Sequence, residues 1–254
     1  MTEDTAPSLT IEGMVATIRL NRPEVHNRIE PADLRVLADI LARIESETGV
    51  RAVILTATGR SFSSGFNIGE IKASATDDDT SFAALADRLE ALRQPTICAL
   101  NGGVYGGSTD LALACDFRIG VTGMAMFMPA ARLGLHYYPG GLQRYVSRLG
   151  LNAAKRLFLT AEKLDAEELL RIGFLTELVT PEALAACATA LAENLAANAP
   201  LAVQGMKAAL NDIARGSMDN EAVAARARQV RASQDLQEGR AAWSAKRTPA
   251  FIGR

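Results

Sequence analysis

The chain has little histidine and cysteine, the residues that most often bind metal ions or form disulfides. Its 254 residues include two histidines and three cysteines, without the spacing typical of a metal site. Cys98, Cys115 and Cys187 each lie in an apolar stretch, which is typical of buried thiols in a reducing compartment. We therefore expect no metal site and a cytoplasmic protein.

The chain also has no excess of basic charge and no long apolar run. Lysine and arginine number 27 against 29 acidic residues, which argues against nucleic acid as the main partner. No apolar run approaches the roughly 20 residues of a membrane span. Residues 1–5 are polar and acidic, unlike a signal peptide. With 48% hydrophobic residues, we expect a soluble globular protein without a membrane partner.

The first half of the chain alternates between apolar strands and amphipathic helices. Strands are predicted at residues 14–20, 52–56 and 96–100, and helices begin at Pro31 and after Ser81. This order predicts an α/β core that is wound in repeating units.

The second half is predicted to be mostly helical. After about residue 150 the strand signal fades, and alanine, leucine and glutamate dominate. This region is too thin to form a separate enzyme, so we expect it to cover the core or a neighbouring subunit.

Two glycine-containing loops each follow a predicted strand. Residues 60–68 (RSFSSGFNI) come after the strand at 52–56, and residues 101–110 (NGGVYGGSTD) come after the strand at 96–100 and open a helix. Glycine lets a backbone N–H approach a ligand closely, and the first turn of a helix leaves N–H groups unpaired. Two such donors directed at one carbonyl oxygen form an oxyanion hole. The alternative is that both loops are simple tight turns.

These two motifs, with residues 133–144 and the C-terminal residues 238–247, resemble the crotonase superfamily, also called the enoyl-CoA hydratase/isomerase family. The resemblance runs from about residue 8 to residue 250. It implies a crotonase-like spiral of ββα units with a helical C-terminal region, assembled as a homotrimer or homohexamer. It also implies an acyl-CoA thioester substrate, with coenzyme A as part of the substrate and no separate cofactor.

The resemblance further implies a division of the chain and a set of binding residues. Residues 1–195 would form the spiral core and residues 196–254 a helical trimerisation or lid region. The oxyanion donors would be the N–H groups of Phe66 and Gly107. The implied coenzyme A contacts are Arg60, Ser64, Asn67, Ile68, Trp243 and Lys246. Cations suit the phosphates of coenzyme A, although each residue alone could equally be surface charge or helix packing.

The catalytic carboxylates depart from the family pattern. The first family glutamate falls on Asp110, and the second falls on Ala130, which cannot transfer a proton. Asp110 is therefore the main candidate base, with a structural role at the helix N-terminus as the alternative. His136 is a candidate acid or base because an imidazole titrates near neutral pH. Tyr138 is a candidate proton donor or pocket-lining residue.

Three functions remain open. Enolate stabilisation with double-bond isomerisation or hydration of an enoyl-CoA is favoured, because the hole would stabilise the negative charge on the thioester oxygen. Hydrolysis, decarboxylation or C–C cleavage of an acyl-CoA would use the same hole with fewer acid–base groups. A coenzyme A-binding subunit without turnover would explain intact glycine loops beside an incomplete carboxylate pair.

Overall fold

The computed structural model describes residues 5–67, 69 and 81–254. Ile68, one of the predicted coenzyme A contacts, lies outside the described residues. Within these ranges there are ten strands: β1 Ser8–Glu12, β2 Val15–Leu20, β3 Ala52–Ala57, β4 Ser61–Ser63, β5 Thr96–Leu100, β6 Gly103–Tyr105, β7 Phe117–Val121, β8 Ala125–Phe127, β9 Lys163–Asp165 and β10 Glu177–Val179.

Nine α-helices occur in the same described ranges. They are α1 Pro31–Ser46, α2 Phe82–Ala91, α3 Ser108–Ala114, α4 Pro139–Lys155, α5 Ala166–Arg171, α6 Leu184–Ala196, α7 Pro200–Arg215, α8 Asn220–Ala232 and α9 Gln234–Ala245.

The strands form two sheets that the chain visits in turn. The larger sheet has the order β1-β2-β3-β5-β7-β10, and the smaller has the order β4-β6-β8-β9. The β1–β2 pair is antiparallel, whereas the other neighbours in the larger sheet are parallel. Each repeat gives one strand to each sheet and then a helix: β3-β4-α2, β5-β6-α3 and β7-β8-α4. The predicted α/β spiral of ββα units with a helical C-terminal region is confirmed.

Strands β3 and β5 form the centre of the larger sheet and position the two glycine loops. The side chains of β5 are all buried, as are most of those in β3, which is the near-continuous apolar pattern of a parallel strand covered on both faces. These strands pair in parallel, with Val53 opposite Thr96. Their carboxyl ends therefore meet at one edge, where ligands commonly bind in open α/β sheets.

Most sequence-based elements are confirmed. Strands at 14–20, 52–56 and 96–100 correspond to β2, β3 and β5, and Ser81 caps α2 by accepting a 3.1 Å hydrogen bond from the Ala84 N–H. The chain after residue 150 is mostly helical, as predicted, but it also contains two strands where the strand signal fades. Strands β9 and β10 follow, each of three residues, and β10 pairs with β7. Three residues are too few for an alternating pattern to be recognised.

Two basic side chains, Lys207 and Arg51, attach the C-terminal region to the core. Lys207 of α7 is buried and donates from Nζ to the Gln94 carbonyl oxygen and to Asp116 Oδ2, each at 2.8 Å. From the start of β3, Arg51 Nη2 donates to the Phe251 carbonyl oxygen at 2.6 Å. The helical region therefore packs on the core, and the division at residue 195 stays a prediction.

Within residues 5–67, 69 and 81–254, none of the helices has the length and apolar character of a membrane span, and no group of His, Cys, Asp and Glu side chains is arranged to hold a metal ion. Cys98 and Cys115 are buried free thiols, as predicted, but Cys187 is only half-buried.

We predict that Lys207→Met will lower the free energy of unfolding by about 2–3 kcal/mol, because it leaves the half-buried Asp116 without its cation. Lys155→Met removes the same charge from an exposed position of α4 and should change stability by less than about 0.5 kcal/mol. Urea denaturation of both variants measures the difference. Equal effects would mean that the Lys207–Asp116 pair does not stabilise the contact between α7 and the core.

Candidate active site

The two glycine loops approach each other at the end of β3 and β5. Gly65 has φ +96°, in the region that favours glycine, and its backbone lies against the second loop. A Cβ added to Gly65 would lie 2.8 Å from the Tyr105 carbonyl oxygen and 3.3 Å from the Gly107 nitrogen. Only glycine allows this approach, so the loops of the two strands form one continuous backbone surface.

A buried serine pair joins the same two loops. Ser63 Oγ donates to the Asn27 carbonyl oxygen at 2.7 Å and accepts from the Gly65 N–H at 3.1 Å. Ser108, the first residue of α3, donates from Oγ to Ser63 Oγ at 2.6 Å. Both hydroxyls are fully buried. This network fixes the start of α3 relative to the first loop.

The predicted oxyanion donors lie on either side of this junction. Phe66 forms a parallel bridge with Ile29, but that bridge uses the Gly65 carbonyl and the Asn67 N–H, at 2.9 Å each, rather than the Phe66 N–H. Gly107 is the N-cap of α3. Among the hydrogen bonds of the described residues, neither the Phe66 nor the Gly107 N–H donates to a protein acceptor. Available donors on adjoining loops are what an oxyanion hole requires.

An aromatic side chain that the sequence did not single out lies beside these donors. A Cβ on Gly107 would come within 3.0 Å of Cε1 and Cζ of Phe82, the first residue of α2. The Phe82 ring lies 5.8 Å from the Phe66 ring and 6.5 Å from the Tyr138 ring, measured between centroids. Phe82 therefore connects the glycine loops to the start of α4, where Tyr138 is the N-cap.

Asp110, the main candidate base, is fully buried and receives three side-chain hydrogen bonds. Arg144 of α4 donates from Nε to Oδ1 at 2.9 Å and from Nη2 to Oδ2 at 2.6 Å. The Tyr138 hydroxyl donates to Oδ2 at 2.5 Å. Asp110 is therefore one half of a bidentate ion pair rather than a carboxylate open to the solvent.

Arg144 belongs to a larger ionic cluster, which comprises Asp87, Glu90, Asp110, Arg144, Arg148 and Arg215. The Nη1 atom of Arg144 lies 2.6 Å from Asp87 Oδ1 and 3.2 Å from Glu90 Oε2. Glu90 also pairs with Arg148 at 2.7 Å and with Arg215 of α7. Burial opposes the charge of Glu90, but the hydrogen bond from Arg215 and the neighbouring arginines outweigh it and lower its pKa. The cluster joins α2, α3, α4 and α7.

The charge of Asp110 affects the pKa values of Arg144 and Tyr138. Burial opposes the charge of Arg144, but the hydrogen bond and charge of Asp110 more than offset it, so the pKa of Arg144 is raised. Burial and then the charge of Asp110 raise the pKa of the Tyr138 phenol well above its ordinary value. Tyr138 is therefore a neutral phenol, and its ring stacks on Tyr137 at 4.4 Å.

His136 and Ala130 lie apart from this arrangement. His136 is exposed, and its Nδ1 contacts the Tyr137 carbonyl oxygen at 2.8 Å. No described contact brings His136 to Asp110, so its catalytic role stays a prediction without support from the geometry. Ala130 is buried at the start of a short 3-10 helix, where its methyl group cannot transfer a proton.

Three predicted coenzyme A contacts lie on the first glycine loop. Arg60 is exposed, and its Nη2 lies 3.3 Å from His26 Nε2. Ser64 is exposed, whereas Asn67 is half-buried and donates from Nδ2 to Glu30 Oε2 at 2.7 Å. Arg60 and Ser64 are therefore exposed to a ligand, although each has a contact within the protein, Ser64 Oγ donating to the Val25 carbonyl oxygen at 3.2 Å.

The two predicted contacts at the C-terminus lie on or after α9. Trp243 is 88% exposed, and Lys246 is exposed and follows the helix with φ 52°. No described contact joins either residue to the first glycine loop. Both assignments stay predictions that a single chain does not test.

The sequence analysis did not identify Arg144, although the spacing of residues in α4 indicates that this side chain is buried. Positions 141, 144, 145 and 148 of α4 follow the spacing of one helix face, and the structure buries the first three and half-buries the fourth. Two of these four are Arg144 and Arg148. Arginines on the inner face of a helix require buried acidic partners, and this requirement is what could have identified them.

Comparisons with known proteins agree with this fold. The profile of the family described as enoyl-CoA hydratase/isomerase matches residues 10–254. The chain is 37% identical over 205 residues to a short-chain-enoyl-CoA hydratase of Clostridium acetobutylicum, which covers 79% of this chain and 78% of the relative. It is 31% identical over 256 residues to a crotonyl-CoA hydratase of Syntrophomonas wolfei, which covers 96% of each chain.

A solved structure supports the same relationship. The fold superimposes on an enoyl-CoA hydratase from Bacillus anthracis with a TM-score of 0.86 at 31% identity, covering 98% of this chain and 99% of the other. The chain therefore belongs to the enoyl-CoA hydratase/isomerase family and is an enzyme of that acyl-CoA-processing kind.

We predict that Gly65→Ala will reduce turnover about 100-fold, because the added methyl group would displace the Gly107 nitrogen from its place. Gly106→Ala is the matched control. Gly106 also has positive φ, at +55°, but its Cβ would approach no atom closer than 3.9 Å. Both variants carry the left-handed strain of roughly 1–2 kcal/mol, so equal losses of activity in folded protein would contradict a role for the loop contact.

Proposed function

We propose that the enzyme hydrates the double bond of an enoyl-CoA thioester. The observation that carries this proposal is the contact of the two glycine loops at Gly65, which leaves the Phe66 and Gly107 N–H groups as available donors. Addition to the double bond transfers negative charge to the thioester oxygen. Two fixed amides would stabilise that charge as it forms, and removal of one such donor costs about 3–4 kcal/mol of barrier.

The surroundings of Asp110 favour hydration over the shuttling of a proton by a single free carboxylate. Both oxygens of Asp110 accept hydrogen bonds from Arg144, and one also accepts from Tyr138. Isomerisation is the second candidate, because Ala130 removes the acidic group that a two-carboxylate hydration would use. A relative that is 31% identical is named 1,2-epoxyphenylacetyl-CoA isomerase, from Escherichia coli.

The names of two relatives suggest a short enoyl group as the first substrate to test. These relatives are named for short-chain enoyl-CoA and for crotonyl-CoA. We therefore propose crotonyl-CoA as the probe, bound with its phosphates near Arg60 and the C-terminal Trp243 and Lys246. Loss of absorbance of the conjugated thioester measures hydration, and the product identifies other reactions. Release of free coenzyme A or carbon dioxide would instead support the hydrolase or decarboxylase reading, and binding without any product would support a silent subunit.

We also propose that the chain assembles as a homotrimer or homohexamer in the cytoplasm. Met206, Leu210 and Ile213 follow the spacing of one face of α7, and all three side chains are exposed. An exposed apolar face of this kind supports a contact with another subunit. Light scattering coupled to size-exclusion chromatography measures the mass, and a monomer at micromolar concentration would contradict the proposal.

We predict that Asp110→Asn will reduce hydration of crotonyl-CoA at least 100-fold, because it removes the negative charge that pairs with Arg144 and accepts from Tyr138. Binding of the saturated analogue butyryl-CoA, measured by calorimetry, should change less than about threefold. Asp39→Asn makes the same change at an exposed position of α1 and should retain activity. If Asp110→Asn turns over at the wild-type rate, Asp110 has no part in the reaction.

A further inference from the structure

We propose that Tyr138 binds and deprotonates the attacking water, and that Arg144 positions Tyr138 through Asp110. This inference rests on the proposed hydration and names the groups that carry it out. In place of two carboxylates, the site would use one phenol, one carboxylate and one guanidinium.

The direction of the hydrogen bond between Tyr138 and Asp110 follows from their neighbours. A guanidinium has only donors, and it is not deprotonated in proteins. Arg144 therefore donates two hydrogen bonds to Asp110, at 2.9 and 2.6 Å, as a guanidinium does to a carboxylate. An ionised carboxylate has no hydrogen to give, so the 2.5 Å contact must be donated by the Tyr138 hydroxyl. The Tyr138 hydroxyl thus donates its single hydrogen to Asp110.

The hydrogen bond to Asp110 determines which hydrogen bonds Tyr138 can form with a ligand. A phenol whose hydrogen is already donated presents only oxygen lone pairs. The nearest hydroxyl, that of Tyr137, lies 3.4 Å from Tyr138 Oη, which is longer than an ordinary O–H···O hydrogen bond. Tyr138 therefore accepts a hydrogen bond from an O–H group, such as a water molecule or the β-hydroxyl group of a hydrated acyl chain, and does not donate to a carbonyl.

The Tyr138 phenol and the Gly107 backbone border the same aromatic side chain, Phe82. The Phe82 ring is in edge contact with the Tyr138 ring at 6.5 Å and lies beside Gly107, where a Cβ would meet it at 3.0 Å. In this proposal, the acyl chain of a thioester bound at the glycine loops runs along Phe82, so that its β-carbon meets a water bound to Tyr138.

The proposed step balances without any further reactant. The water oxygen forms a bond to the β-carbon while one water O–H bond breaks, and the π electrons move to the thioester oxygen as an enolate. The water proton passes to Tyr138 Oη, and the original Tyr138 proton passes to Asp110. The proton on Asp110 then returns to Tyr138 Oη, and Tyr138 gives the proton that it took from the water to the α-carbon of the enolate. Enoyl-CoA and water thereby become 3-hydroxyacyl-CoA, and the enzyme regains its starting state.

Arg144 is a positioning residue in this scheme, because it acts only through Asp110. Its guanidinium is held on the other side by Asp87 at 2.6 Å and by Glu90 at 3.2 Å. Because both sides are held, the plane of the guanidinium is fixed, and with it the orientation of the Asp110 carboxylate. A lysine at this position would keep the charge but lose the two parallel hydrogen bonds.

The first test compares two tyrosine variants with crotonyl-CoA as substrate. Tyr138→Phe should lower kcat about 100-fold or more, while KM and the affinity for butyryl-CoA change less than about threefold. Tyr145→Phe is the control, because Tyr145 is a buried phenol whose hydroxyl bonds to Thr109 at 2.5 Å instead of Asp110. Its kcat should remain within about threefold of wild type.

The outcomes separate this inference from the proposed function. If the wild-type enzyme forms no 3-hydroxybutyryl-CoA, hydration itself is wrong, and the water-binding role of Tyr138 is wrong with it. If the wild type hydrates crotonyl-CoA and Tyr138→Phe does so equally well, only the role of Tyr138 is overturned. An equal loss in Tyr145→Phe would also overturn it, since the effect would then be a general loss of packing.

The second test is a double-mutant cycle for Arg144. Arg144→Lys should lower kcat at least tenfold in the wild-type background, but less than threefold further in the Tyr138→Phe background, because the positioned group is already gone. A merely structural defect would lower kcat by the same factor in both. Should Arg144→Lys fail to fold, Asp87→Asn takes its place in the cycle. Asp87→Asn weakens the contact between residue 87 and the Arg144 guanidinium. We expect it to lower kcat less than Arg144→Lys does, and again by a smaller factor in the Tyr138→Phe background than in the wild type.

Discussion

The close approach of two backbone segments at Gly65 is the constraint on which the site depends. Parallel pairing of β3 and β5 brings the carboxyl ends of these strands to one edge, and the absence of a side chain at residue 65 allows the loops to touch. The buried Ser63–Ser108 pair then fixes the start of α3. The proposed oxyanion hole is made of backbone atoms, so it would not depend on the rotamer of any side chain, and its donors would need no reorganisation during a reaction.

The second constraint is electrostatic. A buried carboxylate is tolerated because a bidentate arginine neutralises it, and the arginine is in turn neutralised by carboxylates on α2. Buried ion pairs of this kind contribute little net stability, since the loss of hydration offsets their attraction, but they define orientation. At Asp110 the bidentate pair fixes the carboxylate, and that carboxylate accepts the hydrogen of the Tyr138 hydroxyl.

The sequence was sufficient for the features that depend on local residues. The apolar runs predicted β3 and β5, and the glycine-containing loops after them predicted a meeting of two backbone segments, for which the family resemblance implied Phe66 and Gly107 as the donors. Features that depend on pairing between distant segments were not accessible in the same way. Ser63 and Ser108 are 45 residues apart, and nothing in either neighbourhood indicates that their hydroxyls meet. Arg144 lay within a motif that carried the family resemblance, yet its partner could be recognised only once α3 and α4 were seen side by side.

The position of Arg215 has a consequence for the modularity of this chain. Arg215 stands at the end of α7, within the region that the sequence assigned to a separate C-terminal unit, and it pairs with Glu90, which also contacts Arg144. A continuous series of charges therefore runs from that unit to the carboxylate in the core. Replacing the tail with that of a related enzyme would therefore change the charges around Asp110 and Tyr138 without changing either residue, unless the new tail supplied a cation at the position of Arg215.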